Sequence, residues 1–414
     1  MLVASYLAID ALMKTRIGLA FLTKAKWFVN SCRQGGQESR NKVQSLLNCI
    51  VVRASCSLRS SSLGMSMNRM AQVFKIASSL VRYKVGSPRP FFVSYQITLR
   101  CNRRCVFCSA WKLKTFRELD TRQAKKVVGE LGDFGVSALG ITGGEPLIRR
   151  DLEEIAAHAR RKGLIVGVNT NGTLLTPKRA KSISRVFDTV FVSLDGFEKT
   201  HDAIRGEEGT FREALAGLKN LIAVKHDCAV GVNFVLNNMN YKEFIPFCNW
   251  IKNLGVLVTF FPVAGEDNFI TDYSIPRNEV DEFICNVLKE KATNPFLGPS
   301  EKVIELIPKY VKGKMPHICD AGRLYLGVSP TGELRVCPIG PNSPDWQIGS
   351  LVTSSLTELM GTGRFRQVLE ARRHCTPCLA GCTTPYSLLF RGSAKDLAEE
   401  ALDYYRVFRH TIEN

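Results

Sequence analysis

The chain has 414 residues, and 45% of them are hydrophobic, which is enough for a large buried core. Its net charge of +18 is uneven, because residues 1–92 carry 14 Lys and Arg against only Asp10 and Glu38, whereas the remaining 322 residues contribute about +6. The basic character therefore belongs to the N-terminal region, which disfavours a nucleic-acid-binding protein, and no run of 18 apolar residues predicts a membrane-spanning helix.

Residues 1–64 form a leader to which no function is assigned. They mix apolar patches with Ser, Arg and Gln and contain almost no acid, a composition typical of a transit peptide or of sequence upstream of the true start. We expect this segment to be disordered. Met65, Met67 and Met70 are alternative starts.

Residues 65–92 are predicted to form a basic amphipathic helix and a lead-in to the next segment. The helical pattern covers residues 70–85, with Lys75, Arg82 and Lys84 on its polar side. The pattern favours a helix packed against the rest of the protein. A helix lying on a membrane surface is the alternative, and it would make the protein a peripheral membrane protein.

From residue 93 onward, apolar runs alternate with helical patterns. The predicted strands are residues 93–99, 138–141, 164–168, 189–192, 228–236 and 256–261. The predicted helices are residues 121–134, 151–162, 176–185, 210–225 and 241–254. This alternation favours an α/β fold with a parallel sheet, so residues 93–265 are predicted to form a doubly wound sheet or a barrel that is not fully closed.

Polar and glycine-rich motifs follow these strands, each at the point where a strand ends. The motifs are residues 101–108, 142–146, 169–172 and 193–196, then Asn237 and Pro262. Because the carboxyl ends of parallel strands meet at the same rim, we expect one active site there.

Cys101, Cys105 and Cys108 form a CxxxCxxC triplet that can bind one metal centre. Three thiolates on a four-iron cluster leave one iron open to a further ligand. Zinc with a remote fourth ligand is the alternative. Gly143 and Gly144 lie one strand–helix–strand step after the triplet, where a backbone without side chains allows a ligand to approach closely. Together, the two motifs favour a cofactor site.

With these motifs the sequence resembles the radical S-adenosylmethionine (SAM) superfamily. CNRRCVFC matches the family's cysteine pattern, with Phe107 in the aromatic position, and TGGEP matches its Gly-Gly-Glu-Pro motif. The resemblance covers roughly residues 91–263 and implies a partial (β/α)6 TIM-type barrel. It also implies a catalytic [4Fe–4S] cluster on Cys101, Cys105 and Cys108, which reductively cleaves SAM to a 5′-deoxyadenosyl radical that abstracts hydrogen from a substrate.

The resemblance further implies which residues bind SAM. Gly143, Gly144 and Glu145 match the contacts to the methionine amino group, and Arg205 suits the methionine carboxylate. The remaining candidates are Phe107, Asn169, Asn171, Ser193, Asp195, Asn237 and Val263. Asn169 and Asp195 have a structural alternative, because either side chain could cap the helix that follows it.

A second cysteine set lies beyond the barrel and comprises Cys319, Cys337, Cys375, Cys378 and Cys382. Residues 324–336 are predicted to form a β-hairpin with its turn near Gly332, and residues 353–369 a helix that returns the chain to Cys375. Any four of these thiols could also bind zinc.

The spacing Cys319-x12-Gly332-x4-Cys337, followed by CxxC, resembles the SPASM/twitch extension of the superfamily. The resemblance implies one auxiliary [4Fe–4S] cluster in residues 316–390. The preferred ligands are Cys319, Cys337, Cys375 and Cys378, and Cys382 is an alternative fourth ligand or a spare thiol. Residues 266–315 are then a helical linker, and residues 391–414 a C-terminal helix.

These features predict a radical SAM enzyme that matures a peptide or a cofactor precursor. Modification of a membrane lipid or another small metabolite is the alternative, motivated by the basic helix. A non-catalytic zinc protein that binds nucleic acid is an alternative from another class. We expect a flavodoxin or ferredoxin as electron donor and a cytoplasmic location, with membrane association on the lipid alternative.

Overall fold

The structure is a computed structural model that describes residues 75, 76, 78–80, 82–84, 86, 88–112, 117–224, 228–263, 271–339 and 344–393. The predicted leader, residues 1–64, lies outside the described residues. So do residues 70–74 of the predicted amphipathic helix and all but the first three residues of the predicted C-terminal helix.

Six parallel strands form the main sheet. They are β1 (Phe92–Thr98), β2 (Ala138–Gly143), β3 (Ile165–Thr170), β4 (Thr189–Ser193), β5 (Ala229–Leu236) and β6 (Leu257–Pro262), and each pairs with the next along the chain. Because helices cover the sheet, the strands are largely buried and read as apolar runs. Among the described residues, β6 is an edge strand and does not pair with β1, so the barrel is open. The predicted partial barrel is confirmed.

Helices connect the strands as right-handed crossovers require. They are α1 (Thr121–Phe134), α2 (Leu152–Arg161), α3 (Pro177–Val186), α4 (Glu198–Arg205), α5 (Thr210–Ala223) and α6 (Phe244–Ile251). Helix α1 begins at Asp120, whose carboxylate accepts a hydrogen bond from the Gln123 amide, and ends at Gly135 with φ +95°. Helix α4 was not predicted, because its eight residues include only two apolar ones, Ala203 and Ile204.

The C-terminal part extends the same sheet. It contains α7 (Val280–Thr293), α8 (Glu301–Ile304), α9 (Ile307–Val311), β7 (Tyr325–Val328), β8 (Glu333–Arg335), β9 (Gln347–Ser350), α10 (Leu356–Gly361), α11 (Gly363–Ala371) and α12 (Thr384–Arg391). Strand β7 pairs in parallel with β1 and antiparallel with β8, which confirms the predicted hairpin. The helix predicted over residues 353–369 is instead two helices, because Thr362 adopts an extended conformation and caps α11.

The basic segment before β1 is helical at each described position between residues 75 and 84. Ile76 is fully buried in the main core, and Leu80 and Tyr83 pack against it. The Lys75 ammonium donates to the Gly163 carbonyl (2.5 Å), and that of Lys84 to the Gly392 carbonyl (2.6 Å). The described apolar side chains of this helix therefore contact the protein, whereas a membrane-surface helix would need them exposed.

None of the described helices has the length and apolar character that crossing a membrane would require.

Candidate active site

A cavity of about 390 Å³ extends through the inside of the barrel. All three cysteines of the triplet, together with Gly143 and Gly144, line one side of it. On the side of the C-terminal extension it is lined by Pro338, Ile339, residues 379–382 and Tyr386. The cavity therefore joins the first cysteine motif to part of the second set.

Backbone hydrogen bonds hold the cysteine loop between β2 and α4. The Val106 amide donates to the Ile204 carbonyl (2.9 Å), and the Arg104 amide donates to the Arg205 carbonyl (3.3 Å). On the other side, the Glu145 amide donates to the Arg100 carbonyl (2.8 Å). The loop is thus fixed by parts of two motifs that lie far from it in sequence.

Glu118 fixes the start of the same loop. Its carboxylate accepts hydrogen bonds from the Thr98 hydroxyl (2.5 Å) and from the Leu99 amide (3.2 Å), and it pairs with the Arg100 guanidinium (3.2 Å). The sequence analysis did not single out Glu118, since an isolated acid in a loop carries no sequence signal.

Gly143 and Gly144 are required by the close approach of the cysteine loop. Gly143 has φ +138°, and a Cβ atom added there would lie 2.0 Å from the Thr98 carbonyl oxygen. A Cβ atom added to Gly144 would lie 2.3 Å from the Arg100 carbonyl oxygen. Both contacts are with backbone atoms, which a side-chain rotation cannot relieve.

We therefore expect Gly144→Ala to lower the free energy of unfolding by about 1–3 kcal/mol, because the added methyl group overpacks this contact. Chemical denaturation of the anaerobically purified protein measures the change. Gly361→Ala is the matched control, since nothing lies within 4 Å of a Cβ atom added there. Equal stability of the two variants would contradict the close contact of Gly144 with the cysteine loop.

The Glu145 side chain points away from the cavity. It is 1% exposed, and its carboxylate accepts hydrogen bonds from the Thr170 hydroxyl (2.7 Å) and from the amides of Asn171 (2.7 Å) and Leu147 (3.0 Å). Burial raises the pKa of this carboxyl group, and the three donors oppose that shift. Glu145 thus links the ends of β2 and β3, whereas Gly143 and Gly144 of the same motif line the cavity.

The other predicted SAM residues divide into two groups. Phe107, Asn169, Asn171, Ser193, Arg205 and Val263 line the cavity. Asp195 and Asn237 are fully buried and do not line it. The Asn171 amide group also donates to the Asn102 side chain (2.8 Å) within the cysteine loop, so Asn171 positions that loop as well.

Asn237 has a structural role. Its side-chain oxygen accepts a hydrogen bond from the Met239 amide (2.8 Å), and its side-chain nitrogen donates to the Val235 carbonyl (3.1 Å). These bonds shape the turn that follows β5.

Arg205 lies beside the cysteine triplet. Its Nη2 atom is 2.5 Å from an Asp195 carboxylate oxygen, and its Nη1 atom is 3.7 Å from Cys105 Sγ. The guanidinium also lies 5.7 Å from the centre of the Phe107 ring. The Nη2 atom is engaged by Asp195, whereas the Nε atom is buried without a hydrogen-bond partner, which leaves one donor for an anionic ligand in the cavity.

The number and type of the three thiols suit a multi-iron cluster. Within the described part of the chain, no three His, Cys, Asp or Glu side chains are placed to hold one metal ion. In a four-iron cluster each thiolate binds a different iron atom, so the sulfur atoms surround a cube. Burial raises the pKa of Cys101 to about 11, so this cysteine would be protonated at neutral pH without a bound metal.

The second cysteine set surrounds the hairpin end. Burial raises the pKa of Cys337 well above its ordinary value, and the nearby charges of Cys378, Cys319 and Cys382 raise it further. Cys382 also lines the cavity. Cys375 Sγ lies 3.7 Å from His317 Nε2. The sequence analysis left the fourth ligand open between Cys378 and Cys382, with Cys378 preferred and Cys375 in the preferred set.

The environment of Cys319 is rigid. The Tyr325 hydroxyl donates to Cys319 Sγ (3.3 Å), and the guanidinium groups of Arg372 (2.9 Å) and Arg391 (3.3 Å) donate to its carbonyl oxygen. Arg391 also pairs with Asp320 (2.8 Å). Such supporting contacts are typical of residues around metal ligands.

Sequence reasoning missed Tyr386 and Phe92, two aromatic residues of the cavity wall. Their rings stack with centroids 5.2 Å apart. The only sequence signal for Tyr386 is its position four residues after Cys382.

The fold and the sequence both have known relatives. Residues 95–251 match the sequence profile of the Radical SAM superfamily. The chain is 34% identical to pre-heme d1 synthase of Dinoroseobacter shibae over 72% of this chain and 79% of that protein. It is 37% identical to Fe-coproporphyrin III synthase of Methanosarcina barkeri, but over 41% of this chain and only 42% of that protein.

Among solved structures, SuiB of Streptococcus suis bound to the precursor peptide SuiA has a TM-score of 0.56 and 13% sequence identity. The match covers 88% of this chain and 87% of SuiB. This likeness supports the fold alone, whereas the relation to pre-heme d1 synthase extends over most of both sequences. The chain therefore belongs to the radical SAM superfamily of enzymes.

Proposed function

We propose that this enzyme holds a [4Fe–4S] cluster on Cys101, Cys105 and Cys108 and binds SAM in the adjoining cavity. When bound, these groups supply one-electron reductive cleavage of SAM and a radical that abstracts hydrogen from the substrate. The observation that carries the proposal is the wall that the three cysteines share with Gly143 and Gly144.

The residues of the chain bind and orient SAM. The side-chain-free backbone at Gly143 and Gly144 accommodates the methionine amino group, and the Nε donor of Arg205 binds the carboxylate. Asn169 and Ser193 face the same cavity and bind the ribose hydroxyls. The apolar residues of the wall exclude water, which would otherwise compete for the radical.

We further propose one auxiliary [4Fe–4S] cluster on Cys319, Cys337, Cys378 and Cys382. The placement of Cys382 supports this set, because the charge of Cys382 raises the pKa of Cys337 and Cys382 also lines the cavity. With four cysteine ligands the cluster would take an electron from a product radical, which favours net oxidation. An acidic flavodoxin or ferredoxin is the proposed external electron donor.

The proposed substrate is an anionic cofactor precursor of the tetrapyrrole type. Pre-heme d1 synthase and Fe-coproporphyrin III synthase are named for such chemistry. Among the described residues, the charged side chains of the cavity wall are Arg103 and Arg205, and the wall contains no Asp or Glu. Glu207 and Glu213 pair with Arg103, and Asp195 pairs with Arg205, but none of these acids lines the wall. The wall therefore offers guanidinium groups to a substrate that carries carboxylates.

Anaerobic reconstitution followed by incubation with SAM, dithionite and an iron porphyrin bearing propionates tests this proposal. We expect about eight iron atoms per chain and porphyrin-dependent formation of 5′-deoxyadenosine. Stoichiometric zinc without absorbance near roughly 400 nm would rule out the cluster and support the zinc alternative.

A precursor peptide is the second candidate, since SuiB shares the fold and its structure contains a bound precursor peptide. Peptide-dependent 5′-deoxyadenosine formation, without any response to the porphyrin, would replace the tetrapyrrole proposal by this one. A response only to lipid vesicles would support the lipid alternative.

A further inference from the structure

Contacts within the protein hold Arg205 in place. It is 7% exposed and lies at the C-terminal end of α4. The amides of Arg104 and Val106 donate to the carbonyls of Arg205 and Ile204, so the end of α4 and the cysteine loop form one backbone unit. The backbone of Arg205 is therefore tied to the cysteine loop.

Asp195 fixes the other side of this guanidinium. One Asp195 carboxylate oxygen lies 2.5 Å from Arg205 Nη2, and the other accepts a hydrogen bond from the Val235 amide (2.8 Å). The Asp195 amide donates to His201 Nδ1 (3.1 Å), and this hydrogen bond fixes the backbone of Asp195. Asp195 is fully buried, so water does not screen this pair.

The remaining contact of Arg205 is with a thiol of the triplet. Its Nη1 atom lies 3.7 Å from Cys105 Sγ, within the distance at which nitrogen donates to sulfur. Hydrogen bonds and positive charge at the sulfur ligands stabilise the reduced form of an iron–sulfur cluster, which carries one more electron. Burial strengthens this effect, because the effective dielectric constant is low.

We propose that Arg205 is a positioning residue that raises the reduction potential of the cluster on Cys105, and that Asp195 limits this effect by partly neutralising the guanidinium. The pair thereby sets how readily the external donor delivers its one electron to the cluster. This role is additional to binding of the SAM carboxylate, since it uses the Nη1 atom directed at Cys105. It rests on the proposed cluster at the cysteine triplet.

The proposal predicts shifts of opposite sign. Asp195→Asn keeps the size of the side chain but removes its charge, so we expect a more positive midpoint potential of the catalytic cluster. The double variant Asp195→Asn/Arg205→Gln removes both charges and the donor to sulfur, so we expect a potential more negative than that of the wild type. Redox titration followed by electron paramagnetic resonance, without SAM, measures both shifts.

Two controls make the result specific. Arg104→Gln removes an exposed positive charge from the same loop and should leave the potential close to that of the wild type. A triple variant with alanine at Cys101, Cys105 and Cys108 shows the auxiliary signal alone, which is then subtracted.

Iron and sulfide content separates the two ways in which the idea could fail. A wild type without iron at the triplet would overturn the proposed function itself. A fully loaded double variant with an unchanged potential would overturn the role of Arg205 alone. If the double variant fails to fold, Arg205→Lys provides the test. Lysine keeps the charge but loses the planar group that reaches both Asp195 and Cys105, so the midpoint potential of the cluster should fall below that of the wild type. An unchanged potential in that variant would contradict the proposal.

Discussion

Replacement of Cys105 by alanine is expected to reduce the cleavage of SAM by at least about 1,000-fold, because the reaction depends on the cofactor that this thiolate holds. Cys105 is 8% exposed and packs with Phe107 and Ile204. Besides Cys101 and Cys108, the other cysteine of the described chain that lines the cavity is Cys382. Quantification of 5′-deoxyadenosine with dithionite as reductant measures the loss, and iron should fall from about eight to about four atoms per chain.

The matched control is Cys285→Ala. Cys285 is an exposed cysteine on α7 and lies outside both sets, so its loss should leave iron content and cleavage unchanged. Cleavage by the Cys105 variant at the rate of the control would show that the triplet does not hold the catalytic cluster.

The sequence was sufficient to predict the barrel and the place of its active site, for a physical reason. Buried parallel strands are continuous apolar runs, and those runs were visible between residues 93 and 261. The polar motifs that follow the strands had to meet at one rim, since all strands of such a barrel run in the same direction. The placement of Gly143 beside the cysteine loop follows from this rule.

The orientation of individual side chains could not be predicted. Glu145 belongs to the motif expected to bind SAM, but its carboxylate turns towards β3 because three donors there satisfy its buried oxygens. Asp195 is likewise turned from the cavity by Arg205. Helix α4, which carries Arg205, was missed because only two of its residues are apolar. These features depend on contacts between segments far apart in sequence. The periodicity of apolar residues along the chain does not predict such contacts.

The amphipathic pattern before β1 shows the same limit. A helix with apolar residues on one face could pack on a barrel or on a membrane, and the sequence pattern is the same for both. The contacts of Ile76 and Tyr83 with the protein decide between these alternatives for the described part. The hydrogen bond from Tyr83 to Asp320 (3.3 Å) further ties this helix to the segment that carries Cys319.

Replacement of Cys337 by alanine is expected to separate the two proposed clusters. The charges of three other thiols of the second set act on Cys337, so its loss should remove the auxiliary cluster and about four iron atoms per chain. Product formation should fall by at least about 100-fold, whereas cleavage of SAM should continue without coupling to product. The reason is that the hydrogen bonds to the loop of the catalytic triplet come from the end of β2 and from α4. The hairpin that precedes Cys337 does not supply them.

The ratio of 5′-deoxyadenosine to product measures this uncoupling, with Cys285→Ala again as control. Equal loss of both compounds would show that the auxiliary cluster is needed for the structure of the active site, and full retention of both would show that it has no part in the reaction.

Cys375→Ala and Cys382→Ala then identify the fourth ligand. Because Cys382 lines the cavity and Cys375 contacts His317, we expect the Cys382 variant to lose the auxiliary iron and the Cys375 variant to keep it. The reverse result would restore the set that the sequence alone favoured, and would make Cys382 a free thiol that faces the substrate.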